Sequence, residues 1–389
     1  MAKKANDIPR LNRIAEGYLP RSHLPTSGGT VRSVVPITAK FQSESALHPA
    51  ALALLTTLFE RGWADPSKLH QDSRRAAILL QEARASFAGI LGVTSDDIHF
   101  LGDLTLGFHL GIAGLLRPEH VFTHSSVDRQ EIFAQSHAHA LRGGQTQTLP
   151  VHPNGQIDWS SVQSGSIATW QLANGETGVV QHQPPPEGHA YFVDATASGY
   201  SHPLPVNWST ALWDSRSWSG PAGLAVLAIG TGAEWRNPLP HLDPLRISDS
   251  FSLPLALASA IALEHWKSEE AVREQQLRKI RMEIVAFIRD RITDVDFASD
   301  PEQGLTELLS ISFLYVDAER LITELEARGF SVDSGSACAS LNLQPSHVLA
   351  AMGRLTHGNI RLHLRSDLTD ESLSAFLTAL EEVVKQLRQ

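Results

Sequence analysis

The stretch Ala190–Gly199 reads AYFVDATASG. Its apolar run meets Asp194 directly and is followed only by small residues. A strand with one wet face alternates apolar and polar side chains; this one does not, so it reads as a strand covered on both faces. Similar short apolar runs lie on either side: IHFLG (98–102), HVFTH (120–124), SIATWQLA (166–173) and GLAVLAIG (223–230). Helical segments separate several of them, which predicts an α/β fold around a mainly parallel sheet.

Upstream, HPAALALLTTLFERGW (48–63) and DSRRAAILLQEARASFAGILG (72–92) read as helices. The second places Leu79, Leu80, Ala83, Phe87, Ile90 and Leu91 on one face, and Gly92 ends it. Downstream, a long amphipathic helix is expected from about Leu255 to Arg291. The pattern then changes to strands in TELLSISFLYV, FSVDS and NIRLHLR, with helices at 318–329, near 346–353 and at the end. The expected domains are an irregular arm (1–40), a large α/β domain (41–254), and a linking helix with a small α+β domain (255–389).

The chain has 389 residues, 42% hydrophobic, with a net charge of −10. No basic block suggests nucleic acid as a direct partner, and no run suggests a membrane span. The first ten residues, MAKKANDIPR, lack the apolar core of a signal peptide, and the one cysteine, Cys338, cannot form an internal disulfide. A cytoplasmic protein is the expectation. The histidines suggest no metal site. His137 and His139 would point about 200° apart on a helix, and those of VQHQPPPEGHA fall in a loop.

Cys338 lies in DSGSACASLNLQPSHVLAAMG (333–353), where small residues surround the thiol. This stretch resembles the active-site loop of the cysteine desulfurases, pyridoxal-phosphate (PLP) enzymes of aminotransferase class V. Further resemblances follow in order: WADPSKLHQDSRRAAILLQEAR (63–84), LANGETGVVQ (172–181), YFVDATASG (191–199), SGPAGLAVLAIG (219–230) and GNIRLHLRSDLT (358–369). They imply a fold-type I PLP-transferase architecture, with a seven-stranded-type sheet and a smaller α+β domain.

The resemblance also implies roles. Asp194 would keep the cofactor's pyridine nitrogen protonated. Thr105 would hold its phosphate, and Asn174 would contact the ring hydroxyl. Arg361 would bind the substrate carboxylate, and Cys338 would take the sulfur as a persulfide.

Several positions depart from that pattern. Ser217 stands where the family carries its Schiff-base lysine, and no lysine occurs between Lys68 and Lys267. Arg216 replaces the adjacent histidine, Asp214 a phosphate-binding serine, and Asp103 a glycine of the phosphate turn. Arg129 falls at the ring-stacking histidine and Ala197 at a glutamine. Loss of a positioned acid/base group costs about 10²–10⁴-fold in rate. Two arginines and two new acids would fill the pocket by pairing, Arg129 and Arg216 with Asp103, Asp214 or Asp194. The resemblance therefore implies PLP while these residues argue against its being held.

The sequence reading is a desulfurase-like protein, degenerate for PLP chemistry. It would carry a persulfide on Cys338 or pair with an active desulfurase. It would be a homodimer, or a heterodimer with that enzyme, and would serve a sulfur-acceptor protein in iron–sulfur or tRNA-thiolation chemistry. One alternative is an active desulfurase with non-covalently held PLP, releasing alanine from cysteine. The other is a non-catalytic scaffold.

Overall fold

The computed structural model describes residues 38–62, 64–183, 185–241, 243, 247, 251–334 and 345–389. Twelve strands form two sheets among these residues. The larger sheet contains β2 (Ile98–Leu101), β3 (Val121–Ser125), β4 (Gln145–Leu149), β5 (Ile167–Gln171), β6 (Ala190–Asp194), β7 (Trp208–Asp214) and β8 (Ala225–Ile229). Its spatial order is β2-β8-β7-β6-β5-β3-β4. β8 alone runs opposite to the other six strands, so the mainly parallel sheet expected from sequence is present.

The central strands are buried on both faces, β5 along its full length. One face is covered by α1 (Pro49–Arg61), α2 (Gln71–Leu91) and α5 (Leu253–Ser268). The other carries α3 (Leu104–Ala113) and α4 (Gln130–Leu141). In α2 the buried positions Ala76, Leu80, Ala83, Phe87 and Leu91 recur at helical spacing, with Leu79 and Ile90 partly buried beside them. Gly92 closes the helix in the left-handed conformation at φ 76°, its N–H bonding Ala88 O at 3.0 Å.

Helix α3 presses unusually close to the sheet. A Cβ at Gly107 would fall 2.5 Å from Leu212 Cδ1, and one at Gly111 2.6 Å from the Phe192 ring. Only glycine permits that approach, and it fixes the start of α3 beside the carboxyl ends of β6 and β7.

The smaller sheet has the order β1-β11-β12-β10-β9. Its strands are β1 (Ala39–Phe41), β9 (Val295–Phe297), β10 (Leu308–Phe313), β11 (Phe330–Ser334) and β12 (Asn359–His363). Helices α6 (Glu270–Arg291), α7 (Ala318–Glu326) and α9 (Asp370–Leu387) cover it, and α8 (His347–Ala351) packs Val348 with Val127 and Val179 of the larger domain.

Two features depart from the sequence expectation. The single helix expected from Leu255 to Arg291 is α5 and α6, meeting at Glu269. The break lets α5 bury itself on the larger sheet while α6 turns the stripe Leu277, Ile280, Ile284 and Ile288 to the smaller one. Residues 39–41, part of which read as irregular arm, are a strand pairing in parallel with β11.

Candidate functional site

Strands β3, β5, β6 and β7 end on the same side of the larger sheet, where open α/β sheets place their ligands. Asp194 closes β6, 3% exposed, in register with Gln171 of β5 and Leu212 of β7. Its Oδ1 accepts from the backbone N (2.9 Å) and the hydroxyl (2.6 Å) of Thr196. Burial pushes the Asp194 carboxyl upward, and the Arg129 guanidinium opposes that. Arg129 approaches through Thr196, its Nη1 donating to Thr196 Oγ1 at 3.2 Å. Its Nε lies 3.6 Å from Glu131, and its guanidinium sits 5.6 Å from the Phe108 ring centre.

A second buried acid stands behind the first. Asp128 is 1% exposed, and its Oδ2 accepts from Ser125 N (2.8 Å) and Thr169 Oγ1 (2.5 Å). Its Oδ1 is buried without a hydrogen-bond partner. Burial, with a smaller push from Asp194, raises its pKa to about 7. The sequence reading missed Asp128 and Thr196. Asp128 is one residue before Arg129, but its partner Thr169 arrives only with the pairing of neighbouring strands.

Asn174 is buried, and its amide is fully engaged by its own turn and by the Val127 carbonyl. Nδ2 donates to Val127 O (2.9 Å) and Gln171 Oε1 (3.0 Å), while Oδ1 accepts from Glu176 N, Thr177 N and Thr177 Oγ1 at 2.9–3.0 Å. Glu176 points toward α8 and β12. Burial raises its carboxyl, and the Ser346 hydroxyl, Arg361 and His347 oppose the rise. Arg361 gives Nη2 to Ser334 O at 2.7 Å and has a buried, unpartnered Nε. The His347 ring is 2.9 Å from Asp128 O. Glu176 and His347 thus join the two sheets at this site, a role invisible in a turn and a short helix read alone.

Cys338 lies outside the described residues, as does all of 335–344. The ends of that segment are well placed. Ser334 accepts from Arg361, and Ser346, which caps α8 at Leu349 N (3.1 Å), faces Glu176.

The positions that resemble the phosphate and lysine turns are occupied by internal bonds. Asp103 caps α3, its Oδ1 accepting from Leu106 N at 2.9 Å, which puts a carboxylate on the helix N-terminus that an anion would use. It pairs with neither Arg129 nor Arg216. Thr105 is exposed as the second residue of α3. Asp214 ends β7 and holds Arg216 in a fork, with Nε 2.9 Å and Nη2 2.6 Å from Oδ2. Ser217 turns its hydroxyl back to Asp214 O at 2.8 Å. Ala197 faces Gly175: a Cβ there would lie 3.4 Å from that of Ala197 and 3.8 Å from Arg129 Nη1. Of the pairings expected from sequence, Arg216–Asp214 forms directly. Arg129 reaches Asp194 through Thr196.

These residues fit a Schiff-base-linked PLP poorly. No lysine lies between Lys68 and Lys267 to form the link. The phosphate would meet the Asp103 carboxylate, repelling it by on the order of 4 kcal/mol at an effective dielectric near 20. Asn174 has no free amide hydrogen to offer a ring hydroxyl.

The fold is that of the PLP-transferases of type I. A NifS-like protein superposes with a TM-score of 0.79 at 20% identity, covering 89% of this chain and 99% of its own. The apo cysteine desulfurase of Thermococcus onnurineus gives 0.74 at 16%, covering 89% and 94%. In sequence, the chain is 27% identical over 376 residues to the cysteine desulfurase IscS of Dictyoglomus turgidum, covering 90% of this chain and 94% of that one. It is 28% identical over 377 residues to cysteine desulfurase 2 of Trichormus variabilis, covering 90% and 92%. Its relatives are thus cysteine desulfurases. No family profile matches the chain. Among the described residues, no helix is long and apolar enough to cross a membrane.

Proposed function

We propose that this chain is a desulfurase-like sulfur-transfer protein that works without a PLP Schiff base of its own. It takes sulfur onto Cys338 from an active cysteine desulfurase, as that enzyme's partner, and passes it to an acceptor protein. The observation that carries this reading is the internal closure of the site. Thr196 links Asp194 to Arg129, Asn174 is saturated, and Ser217 bonds its own turn.

The transfer needs no cofactor on this chain. The Cys338 thiolate attacks the outer sulfur of the donor's persulfide. The new S–S bond forms as the old one breaks, and the donor leaves as a thiolate. Both electrons of the broken bond go with it, so there is no net oxidation. The Arg361–Ser334 bond and the Ser346 cap anchor the two ends of the segment that carries the thiol.

The test mixes the protein with an active cysteine desulfurase and cysteine, separates the chains and weighs this one. Wild type is expected to gain the mass of one sulfur atom, removable by a reducing thiol, and Cys338→Ser to gain none. A protein that gains none in either form is a scaffold. A protein that keeps a stable visible chromophore after incubation with PLP and desalting, and releases alanine from cysteine alone, is an enzyme with non-covalent cofactor.

A further inference from the structure

Among the described residues, one group of three metal-capable side chains stands outside the site above: His48, His265 and Glu269. Their ligand atoms all lie within 4.8 Å of one another. His265 is in the last turn of α5, and Glu269 follows at i+4, where α5 meets α6. That spacing brings both to one helix face. His48 comes from the start of α1, fixed by its backbone N–H to Ser219 O at 2.8 Å. The two imidazoles stack with centroids 4.9 Å apart, and His48 Nε2 lies 3.6 Å from Glu269 Oε1. The His48 side chain is 13% exposed and that of Glu269 is 53% exposed, so the group opens to solvent on the carboxylate side.

We propose that His48, His265 and Glu269 bind one divalent transition-metal ion, with zinc the best match and a fourth position left to water. Two imidazoles and one carboxylate suit zinc, whereas magnesium and calcium prefer oxygen throughout. Donors about 2.0–2.1 Å from zinc stand roughly 3.3 Å apart in a tetrahedron. Binding therefore draws the carboxylate of Glu269 inward and slides the rings out of their stack. His48 Nδ1 accepts from Ala50 N at 3.2 Å. Metal on Nε2 requires the ring proton on Nδ1, so this long cap is exchanged for the metal bond. The ion would tie the start of α1 to the junction of α5 and α6. The proposal is independent of the sulfur-transfer reading. It also departs from the sequence expectation of no metal, which considered only histidines near one another in the chain.

The experiment titrates tag-free protein with zinc chloride against a chromophoric chelator, in a Cys338→Ser background so that the thiol does not compete. One equivalent per chain is expected, with affinity reduced tenfold or more in His265→Asn and in Glu269→Gln. Zinc should raise the melting temperature of the parent protein but not of His265→Asn. No uptake, or equal affinity in parent and both variants, overturns the proposal and leaves the three residues as an ion pair and a ring stack. If His265→Asn does not fold, the exposed Glu269→Gln decides alone.

Discussion

Asp194 and Asp214 end adjacent parallel strands of one sheet, and their surroundings differ sharply. Asp214 is neutralised within its own turn by a fork from Arg216, whose side chain is 52% exposed. Asp194 has no such local cation. It leans on the Thr196 hydroxyl and, through it, on Arg129, while burial and the nearby Glu131 work against its charge. Both acids accept from the residue two positions on, but that neighbour brings a cation only to Asp214, while the cation near Asp194 arrives with the tertiary fold. The second arrangement holds the larger electrostatic tension, and there perturbation should show most.

The comparison breaks first at Arg129. Arg129→Met leaves Asp194 without its nearby cation, and should cost about 2–4 kcal/mol in urea denaturation at neutral pH. The loss should shrink in mild acid, where the buried acids hold their protons. A loss independent of pH would assign Arg129 a packing role only.

Asp128 sharpens the comparison through pH. Its folded pKa, about 7, lies above the ordinary 3.8. Between those values the folded state holds a proton that the unfolded state has released, so stability falls as pH rises through this window. From pH 5 to pH 8 this group alone should remove about 2–3 kcal/mol. Asp128→Asn should flatten that slope, as measured by denaturation at both pH values.

Thr196→Val keeps the shape but removes the hydroxyl between Arg129 and Asp194. A loss of about 1–2 kcal/mol is expected, smaller than for Arg129. Arg216→Ala should cost under about 1 kcal/mol, because the fork is solvent-screened and Asp214 still accepts from Arg216 N at 2.9 Å. If Arg216→Ala proved more costly than Arg129→Met, the contrast between the two aspartates would be reversed.

Much of the fold was legible because burial on both faces writes itself as unbroken apolar sequence. Tyr191–Val193 and Ala225–Ile229 are such runs. Strand β4, QTQTL, escaped notice because it is an edge strand with mostly exposed side chains and needs few apolar residues. The break at Glu269 carries no glycine or proline to announce it; two cores pulling on two helix faces create it. At the site, Asp194, Asn174, Arg129 and Arg361 were legible through a resemblance in their surrounding segments. Their actual partners were not, since Val127 meets Asn174, Thr196 meets Arg129 and Ser334 meets Arg361 from distant strands and loops. The fate of Asp103, a helix cap with no cation, could have been read from its place before an apolar helical run.

Strand β1 has a consequence for how the molecule is made. Ala39–Phe41 leaves the ribosome early, yet its partner Phe330–Val332 follows about 290 residues later. At about 5–20 residues per second, the wait is roughly 15–60 s. Throughout it Phe41, finally 1% exposed and 4.3 Å from the Phe376 ring, has neither its strand nor its covering helix α9. The larger sheet can be complete while this segment still lacks its strand partner. Among the described residues, the first strand synthesised is thus among the last to be seated.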